Sequence, residues 1–286
     1  MPELPEVETI RAGLERLVVG KRIAEVSVHH PRSVRRHPGT PADFARALAG
    51  RTIVGISRRG KYLWFAFDDS DAMLAHLGMS GQFRVDCAGE APPPNTRVEF
   101  SFELSDIVLR FVDQRMFGGL SLSAGGVLGP PEIAHIAPDL LSQEVDLDGL
   151  AAKIGGKRSG IKRVLLDQSV VSGIGNIYAD ETLWRARLHY GHPACALPAG
   201  RIVELLEHAQ GVLREALAAG GTSFDALYVG VAGEAGYFER SLAVYGREGL
   251  PCPRCAAAIV REPFMGRSSF RCPKCQPHYR QQCPAQ

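Results

Sequence analysis

The first segment of the chain places apolar side chains at helical spacing. These apolar positions are Val7, Ile10, Leu14 and Leu17. They share one face of a helix, and Gly20 follows them as a residue that ends helices well. Pro5 suits a first helical turn, and Glu3 and Glu6 complement the positive end of the helix dipole. The segment therefore predicts a helix that begins near Pro5.

Beyond Gly20 the pattern changes to runs in which β-branched and aromatic residues often alternate with polar ones. Runs of this kind, bounded by Gly, Pro, Asp or Ser, are typical of strands. They occupy residues 23–30, 51–59, 61–67, 97–104 and 107–113, and a short helix near 41–49 interrupts them. The first half is therefore predicted to be a two-layer β-sandwich with flanking helices.

The segment AGGVLGPP at 124–131 is typical of a linker, and the pattern beyond it is helical. Helices are predicted near residues 146–154, 158–168, 177–187 and 199–219. The chain is thus expected to have an α+β multidomain fold. Its predicted domains are a sandwich at 1–131, a helical domain at 132–244 and a ribbon at 245–286.

Composition narrows the class of protein only slightly. With 45% hydrophobic and 22% charged residues, the chain resembles an ordinary globular protein. No apolar run approaches the ~20 residues of a membrane-spanning helix, and the acidic start is unlike a secretory signal, so a cytoplasmic location is expected. A net charge of +2 does not by itself indicate a nucleic-acid partner.

The charged residues are unevenly distributed along the chain. The run KIGGKRSGIKR at 153–163 holds five basic residues and no acid, and RSVRR at 32–36 adds three arginines. Basic runs of this kind bind phosphates, but they are as often solvated faces. Contact of Arg32, Arg35 and Arg36 with a nucleic acid is therefore left open.

Four of the seven cysteines form one pattern near the end of the chain. Cys252, Cys255, Cys272 and Cys275 have the spacing C-x2-C-x16-C-x2-C. Two such pairs present four thiolates to one tetrahedral Zn²⁺, whereas disulfides are rare in the reducing cytosol. The spacing predicts a zinc ribbon. The remaining cysteines, which are Cys87, Cys195 and Cys283, are interpreted as incidental.

Pro2 is not explained by a helix that begins at Pro5. Proline at this position permits removal of Met1 during synthesis, which would leave a secondary amine. An α-amine has a pKa of about 8, so part of it is unprotonated at neutral pH. Attack of the amine on a sugar carbon or an aldehyde gives a cationic iminium, which is an electron sink. The alternative is that Pro2 simply precedes the helix.

Two further features suit a DNA partner. Gly175 and Asn176 lie just before a predicted helix, whose free amides suit a phosphate. Met79 and Phe117 lie beside glycines in turns, where an apolar side chain can enter a base stack. Each feature has an ordinary alternative, namely a turn that only connects two helices and a side chain that belongs to the core.

Taken in order, these motifs resemble the bacterial formamidopyrimidine-DNA glycosylases. The matching segments are PELPEVET, GKYL with HLGMSG, SGIGNIYADE, GGTS, YGREG and the terminal four-cysteine ribbon. The resemblance covers essentially the whole chain. It implies an N-terminal β-sandwich, a helix–two-turn–helix domain and a zinc-ribbon β-hairpin.

The resemblance also implies a function. The protein would be a bifunctional DNA glycosylase and abasic-site lyase, acting as a monomer on duplex DNA with oxidised purines (8-oxoguanine, formamidopyrimidines) or abasic sites. Pro2 would be the nucleophile, Glu3 would manage protons at the sugar, and Glu6 would order the terminus or the flipped base. Successive β- and δ-elimination would cut the strand on both sides of the lesion. One Zn²⁺ would be structural.

Residues that touch DNA are implied in the same way. Phosphate contacts would come from Lys61, acting beside the catalytic residues, and from His76, Asn176 and Arg267, with Lys162 near the lesion. The void left by the extruded base would be filled by Met79, Arg115 and Phe117. A loop over that base would include Thr222, Ser223 and Tyr237.

The chain departs from the family pattern at one wedge segment. Gln114 and Met116 replace the usual Pro and second Arg of Asp-Pro-Arg-Arg-Phe, which bears on preference for the opposite base. An endonuclease VIII-like enzyme for oxidised pyrimidines is one alternative, although Leu4 in PELPE favours the purine branch. A non-catalytic zinc protein that binds damaged DNA is another. Retention of Met1, seen by intact mass, would favour the latter.

Overall fold

The computed structural model describes residues 2–143, 145–222, 231 and 238–279. Backbone contacts divide the chain into two compact units. Unit 1 contains residues 1–135 and 216–239, and unit 2 contains residues 136–215 and 240–286. The domain boundaries given above remain a prediction.

Unit 1 is built from two four-stranded antiparallel sheets and two helices. The helices are α1 (Leu4–Val18) and α2 (Pro41–Leu48). The strands are β1 (Ile23–Val28), β2 (Ile53–Arg59), β3 (Tyr62–Phe67), β4 (Ala72–His76), β5 (Gly81–Cys87), β6 (Thr96–Phe102), β7 (Ile107–Asp113) and β8 (Gly119–Ser123). Their orders are β1-β6-β7-β5 and β2-β3-β4-β8. The predicted β-sandwich with flanking helices is confirmed.

The core of unit 1 is apolar and rich in aromatic rings. The rings of Phe65 on β3 and Phe83 on β5 lie 5.3 Å apart, so they join the two sheets. Phe83 and Phe111 are also 5.3 Å apart. Spacings of this size are favourable for aromatic pairs.

The helix α1 buries Val7, Ile10 and Leu14 of its predicted apolar face in the same core. The prediction is wrong for Leu17, which is 37% exposed, because Val18 fills the core position in the last turn.

Three strands of unit 1 are not predicted by the sequence pattern. β4 is buried almost throughout, and β8 is short and contains glycine and serine. β4 lacks the alternation that marks a half-buried strand, whereas β8 alternates leucine with glycine and serine over only five residues, which is too short to stand out. β5 follows the turn that carries Met79, in a segment that the sequence marks only as part of a motif. Pairing with neighbouring strands explains why these segments are extended.

Unit 2 combines helices with a β-hairpin. The helices are α3 (Leu147–Gly155), α4 (Ile161–Leu165), α5 (Asn176–Arg185) and α6 (Ala199–Ala218), which belongs to this unit as far as Glu215. The strands β9 (Val260–Phe264) and β10 (Arg267–Arg271) pair antiparallel. Met265 and Gly266 connect them with φ angles of 46° and 73°, as a tight hairpin turn requires. α4 is shorter than the predicted helix at 158–168.

Short 3-10 helices complete the described elements at Pro31–Val34, Pro131–Ile133, Ala194–Ala196 and Phe238–Ser241. In the part of the chain that the structure describes, no helix has the length and apolar character needed to cross a membrane.

Candidate active site and nucleic-acid interface

The start of α1 brings together the residues predicted to carry the chemistry. Pro2 is buried, and Glu3 and Glu6 are 1% and 6% exposed. Oε2 of Glu6 accepts a hydrogen bond from the backbone N–H of Glu3 at 2.9 Å. Oε1 of Glu6 accepts from the backbone N–H and the hydroxyl of Thr222, at 2.8 and 3.0 Å. Glu6 therefore ties the N-terminal turn to Thr222.

Gly221 lies against this carboxylate. Its φ angle is +83°, and a Cβ at this position would lie 2.9 Å from Oε1 of Glu6. A side chain would therefore be strained in the backbone and would also push on the group that orders the terminus.

We expect Gly221→Ala to lower the free energy of unfolding by about 1–3 kcal/mol more than Gly20→Ala, because overpacking adds to the backbone penalty. Gly20 is a matched control, since its φ angle is +84° and a Cβ there would have no atom within 4 Å. Denaturant unfolding of both variants measures the difference. Equal losses of stability would show that the contact with Glu6 does not constrain this position.

A group of cationic side chains surrounds the end of β4 in unit 1. The pKa of His76 is lowered to about 4, mainly by burial and then by the charges of Arg36, Lys61 and Arg35. Nδ1 of His76 accepts a hydrogen bond from the backbone N–H of Gly78 at 3.2 Å. At neutral pH the ring is therefore uncharged and carries its proton on Nε2. Lys61 is partly exposed in the turn between β2 and β3.

The three predicted wedge residues lie on two neighbouring turns of unit 1. The exposed fractions of Met79 and Phe117 are 40% and 49%, and Arg115 is also exposed. A Cβ on Gly78 would lie 2.5 Å from the carbonyl carbon of Phe117, so the backbones of the two turns touch. The structure brings these side chains together and leaves them accessible.

Lys162, which the resemblance places near the lesion, is paired with an internal carboxylate. Its side chain is fully buried, and Nζ lies 2.7 Å from Oδ1 of Asp180. Nζ also lies 4.7 Å from the ring centroid of Phe264. The structure therefore places this ammonium in an internal ion pair within unit 2, a contact that the basic run in the sequence did not indicate.

The start of α5 contacts the hairpin strand β10. Nδ2 of Asn176 donates to the carbonyl of Ser268 at 2.9 Å. One turn later, the carboxylate of Asp180 accepts from the hydroxyl of Ser269 at 2.8 Å and from the backbone N–H of Phe270 at 2.9 Å. Arg267 is exposed at the beginning of β10. Asn176 and Arg267 are thus brought to one region of unit 2.

The four predicted zinc ligands form a compact cluster. All four Sγ atoms lie within 4.8 Å of one another, and the Sγ atoms of Cys255 and Cys272 are 3.4 Å apart. A tetrahedral site with Zn–S bonds of about 2.3 Å separates its sulfurs by about 3.8 Å. The indole N–H of Trp184 donates to Sγ of Cys252 at 3.4 Å. The residues present therefore fit Zn²⁺.

Some predicted positions lie outside this description. Ser223, Tyr237 and Cys283 are not among the described residues. Cys87 and Cys195 are exposed and stand apart from the four-cysteine cluster.

Sequence reasoning assigned no role to several residues that contact the site. Ser80 and Asp113 link the two wedge turns by hydrogen bonds. Arg35 donates to the turn that carries Phe117. Asp113 was visible in the motif DQRMF, but these contacts join segments that are distant in the chain.

Three family models match the chain. They are the formamidopyrimidine-DNA glycosylase N-terminal domain over residues 1–120, the H2TH domain of the same enzymes over 136–227, and a zinc finger found in FPG and IleRS over 249–277. With the sandwich, the helices and the ribbon, these matches define a zinc-ribbon DNA glycosylase. The predicted class of enzyme and the predicted structural zinc site are confirmed.

Full-length relatives agree with these family models. A formamidopyrimidine-DNA glycosylase of Acidothermus cellulolyticus is 58% identical over 277 residues, or 97% of this chain and 98% of that protein. One from a Nocardioides species is 58% identical over 279 residues, or 97% of this chain and 95% of that protein. The chain therefore belongs to the formamidopyrimidine-DNA glycosylase family.

Solved structures extend the comparison. A mutant of the Lactococcus lactis enzyme, in complex with DNA containing Fapy-dG, has a TM-score of 0.89 and 34% identity, with 97% of this chain and 100% of that chain covered. The wild-type L. lactis enzyme in complex with DNA containing an oxidised pyrimidine has a TM-score of 0.88 and 33% identity, with the same coverage. The predicted fold is confirmed by these likenesses.

Proposed function

We propose that this protein excises oxidised purines, including 8-oxoguanine and formamidopyrimidines, from duplex DNA and then cleaves the strand at the abasic site. The observation that carries the proposal is the buried cluster at the start of α1. Glu6 there accepts hydrogen bonds from both Glu3 and Thr222, and so fixes the turn that begins with Pro2. A fixed nucleophile beside a carboxyl group is the arrangement that covalent catalysis needs.

The chemistry begins once Met1 has been removed. The amine of Pro2 attacks C1′ of the damaged nucleotide, the glycosidic bond breaks, and its electron pair leaves with the base, which takes a proton. Glu3 manages protons at the sugar as the ring opens and the iminium forms. Glu6 holds the terminus in place through its contacts with Glu3 and Thr222.

The iminium then directs strand cleavage. It acidifies the C2′ proton, so that removal of this proton expels the 3′ phosphate in β-elimination. A second, δ-elimination expels the 5′ phosphate and leaves a gap with a phosphate at each end. The zinc ribbon takes no part in these steps, because its four thiolates would complete a closed structural site.

Contacts with DNA are proposed for both units. Lys61, His76, Asn176 and Arg267 would hold backbone phosphates, which supply affinity without choice of sequence. Met79, Arg115 and Phe117 would fill the void, with Arg115 facing the orphaned base. The exposure of Met79, Arg115 and Phe117 supports this role. Lys162 is proposed near the lesion, with its ammonium held by Asp180.

The proposal includes assignments for the loop over the base, the domain boundaries, the oligomeric state and the location. A loop over the extruded base would begin at Thr222 and include Ser223 and Tyr237. The domain boundaries at 131 and 244 would separate the sandwich, the helical domain and the ribbon. The protein would act as a monomer in the cytoplasm, as befits a DNA-repair enzyme of a family with bacterial relatives.

Oxidised pyrimidines form a second candidate substrate class. The L. lactis relative is known in complex with DNA that contains an oxidised pyrimidine, so a family member can accommodate such a lesion. The oxidised purine remains the principal assignment, because the relatives at 58% identity are formamidopyrimidine-DNA glycosylases.

The test is strand cleavage on four matched duplexes, containing 8-oxoguanine opposite cytosine, a formamidopyrimidine opposite cytosine, thymine glycol opposite adenine, or undamaged guanine. We expect cleavage of the first two, with phosphates at both ends of a one-nucleotide gap. Faster cleavage of the thymine glycol duplex would assign the protein to the pyrimidine branch. Binding of the damaged duplexes without any cleavage would overturn the catalytic proposal.

A further inference from the structure

The two turns that carry Met79 and Phe117 are in direct backbone contact. A Cβ on Gly78 would lie 2.4 Å from the backbone nitrogen of Gly118. Gly78 has a φ angle of +62°, and Met116 has one of +54°. Such angles are uncommon for residues other than glycine and persist when their surroundings fix them. The close approach raises the question of which groups hold these backbones together.

Asp113 is one such group. Its side chain is fully buried at the end of β7. Oδ1 accepts a hydrogen bond from the hydroxyl of Ser80 at 2.6 Å, and Oδ2 accepts from the backbone N–H of Gly118 at 2.8 Å. The Ser80 oxygen in turn accepts from the backbone N–H of Arg115 at 2.9 Å. One carboxylate therefore joins the Met79 turn to the Phe117 turn.

Arg35 is the second group, and it approaches from the 3-10 helix at Pro31–Val34. Nη2 of Arg35 donates to the carbonyl of Phe117 at 2.9 Å, and Nη1 donates to the carbonyl of Gly118 at 2.7 Å. Nη1 also donates to the carbonyl of Arg32 at 2.7 Å, which anchors the guanidinium to its own segment. The planar fork of arginine suits two neighbouring carbonyls, whereas lysine presents only a point charge.

We propose that Arg35 and Asp113 are positioning residues that hold Met79 and Phe117 as one preformed wedge for the DNA base stack. The inference rests on the proposed function, because it concerns how the wedge residues act. Insertion between bases requires side chains that enter in a fixed relation to each other. With both turns tied to Asp113 and the second also tied to Arg35, the wedge needs no rearrangement before it enters the stack.

The discriminating variant is Arg35→Lys, which keeps the positive charge but loses the two-pronged contact with Phe117 and Gly118. Arg32→Lys is the matched control, since it makes the same change in the same segment while Arg32 contributes only its carbonyl to the contact. Ser80→Ala tests the Asp113 side by removing the hydroxyl that joins Asp113 to Arg115. Thermal unfolding of all three variants verifies that each is folded at the assay temperature.

Two activities separate positioning from chemistry. The first is single-turnover excision of 8-oxoguanine from duplex DNA, with 2-aminopurine beside the lesion to report unstacking by fluorescence. The second is cleavage of an abasic site in a single-stranded oligonucleotide, which needs the Pro2 amine but offers no duplex stack to open. We expect Arg35→Lys and Ser80→Ala to slow both unstacking and excision by on the order of tenfold, since small misplacements reduce rates strongly.

Cleavage of the single-stranded abasic site should stay at the wild-type rate in both variants, and Arg32→Lys should match the wild type throughout. Wild-type unstacking and excision in Arg35→Lys would overturn the proposal. So would an equal loss in Arg32→Lys, which would indicate a general need for guanidinium groups in this segment rather than the contact of Arg35 with the Phe117 turn. An equal loss on the single-stranded substrate would also overturn it, because that result would indicate damage to the catalytic centre. Failure of the proposed function differs from all of these, because the wild type itself would then excise nothing.

Discussion

Glu3→Gln is expected to slow excision of 8-oxoguanine by on the order of 10²–10⁴-fold, the usual contribution of a positioned acid or base. Glu3 caps α1 and is 1% exposed, so the nearly isosteric amide keeps the packing. Its oxygen can still accept a hydrogen bond, and the backbone N–H that binds Glu6 is unchanged. The amide cannot exchange protons with the sugar. Binding of lesion DNA should therefore persist while turnover is lost.

Glu8→Gln provides the matched control for that experiment. Glu8 lies on the same helix, and its carboxylate contacts Arg11 at 2.9 Å and Arg58 at 2.8 Å. Loss of these largely buried ion pairs should lower the free energy of unfolding by about 1.5–3 kcal/mol and leave excision intact. Rates and lesion binding are measured on one 8-oxoguanine duplex. Excision by Glu3→Gln at the wild-type rate would refute the role assigned to Glu3.

Removal of zinc is expected to unfold the ribbon and to weaken DNA binding by on the order of 10–10²-fold or more. The ribbon buries only a small core, in which Val244 and Ile259 pack with Cys252 and Cys272. Structural zinc contributes roughly 10–16 kcal/mol of apparent binding free energy in small domains, so the hairpin depends on the metal. Loss of the hairpin would remove the phosphate contact proposed for Arg267. A hydrogen bond to a charged group contributes about 1.5–3 kcal/mol, which corresponds to the expected loss of affinity.

Cys272→Ser and Cys195→Ser test this expectation as a pair. Cys272 belongs to the cluster, whereas Cys195 is an exposed cysteine outside it. Elemental analysis should find one zinc per chain in the wild type and in Cys195→Ser, and a substoichiometric amount in Cys272→Ser. Fluorescence anisotropy with a lesion duplex measures affinity. A Cys272→Ser protein with a full zinc complement and normal affinity would contradict a structural role for the metal.

Local sequence patterns were enough to predict the elements that nearby residues determine. The helix α1 follows from the spacing of Val7, Ile10 and Leu14 and from the residues at its start. The zinc ribbon follows from the spacing of four cysteines, because the ligand geometry of the metal dictates that spacing. The strand β4 could not be predicted in this way, since it has no alternation and is extended because it pairs with β3 and β8.

At the candidate site, too, residues in short motifs could be predicted, whereas contacts between distant segments could not. Pro2 and the wedge residues stood out as unusual residues in short motifs, and the family resemblance gave them roles. The bond between Glu6 and Thr222 spans 216 positions of the chain, and that between Arg35 and Phe117 spans 82. No local pattern specifies such pairs. Burial of Lys162 against Asp180 was equally hidden, because a basic run in a sequence does not show which cation turns inward.

The central claim, that the Pro2 amine is the nucleophile, is tested most directly by borohydride trapping on a duplex with 8-oxoguanine opposite cytosine. Reduction converts an iminium into a stable bond, and peptide mapping then locates the cross-link. We predict one DNA adduct per chain, on a peptide that begins with Pro2 and lacks Met1. Strand cleavage with an adduct on a lysine, or with Met1 retained on the active protein, would contradict the account.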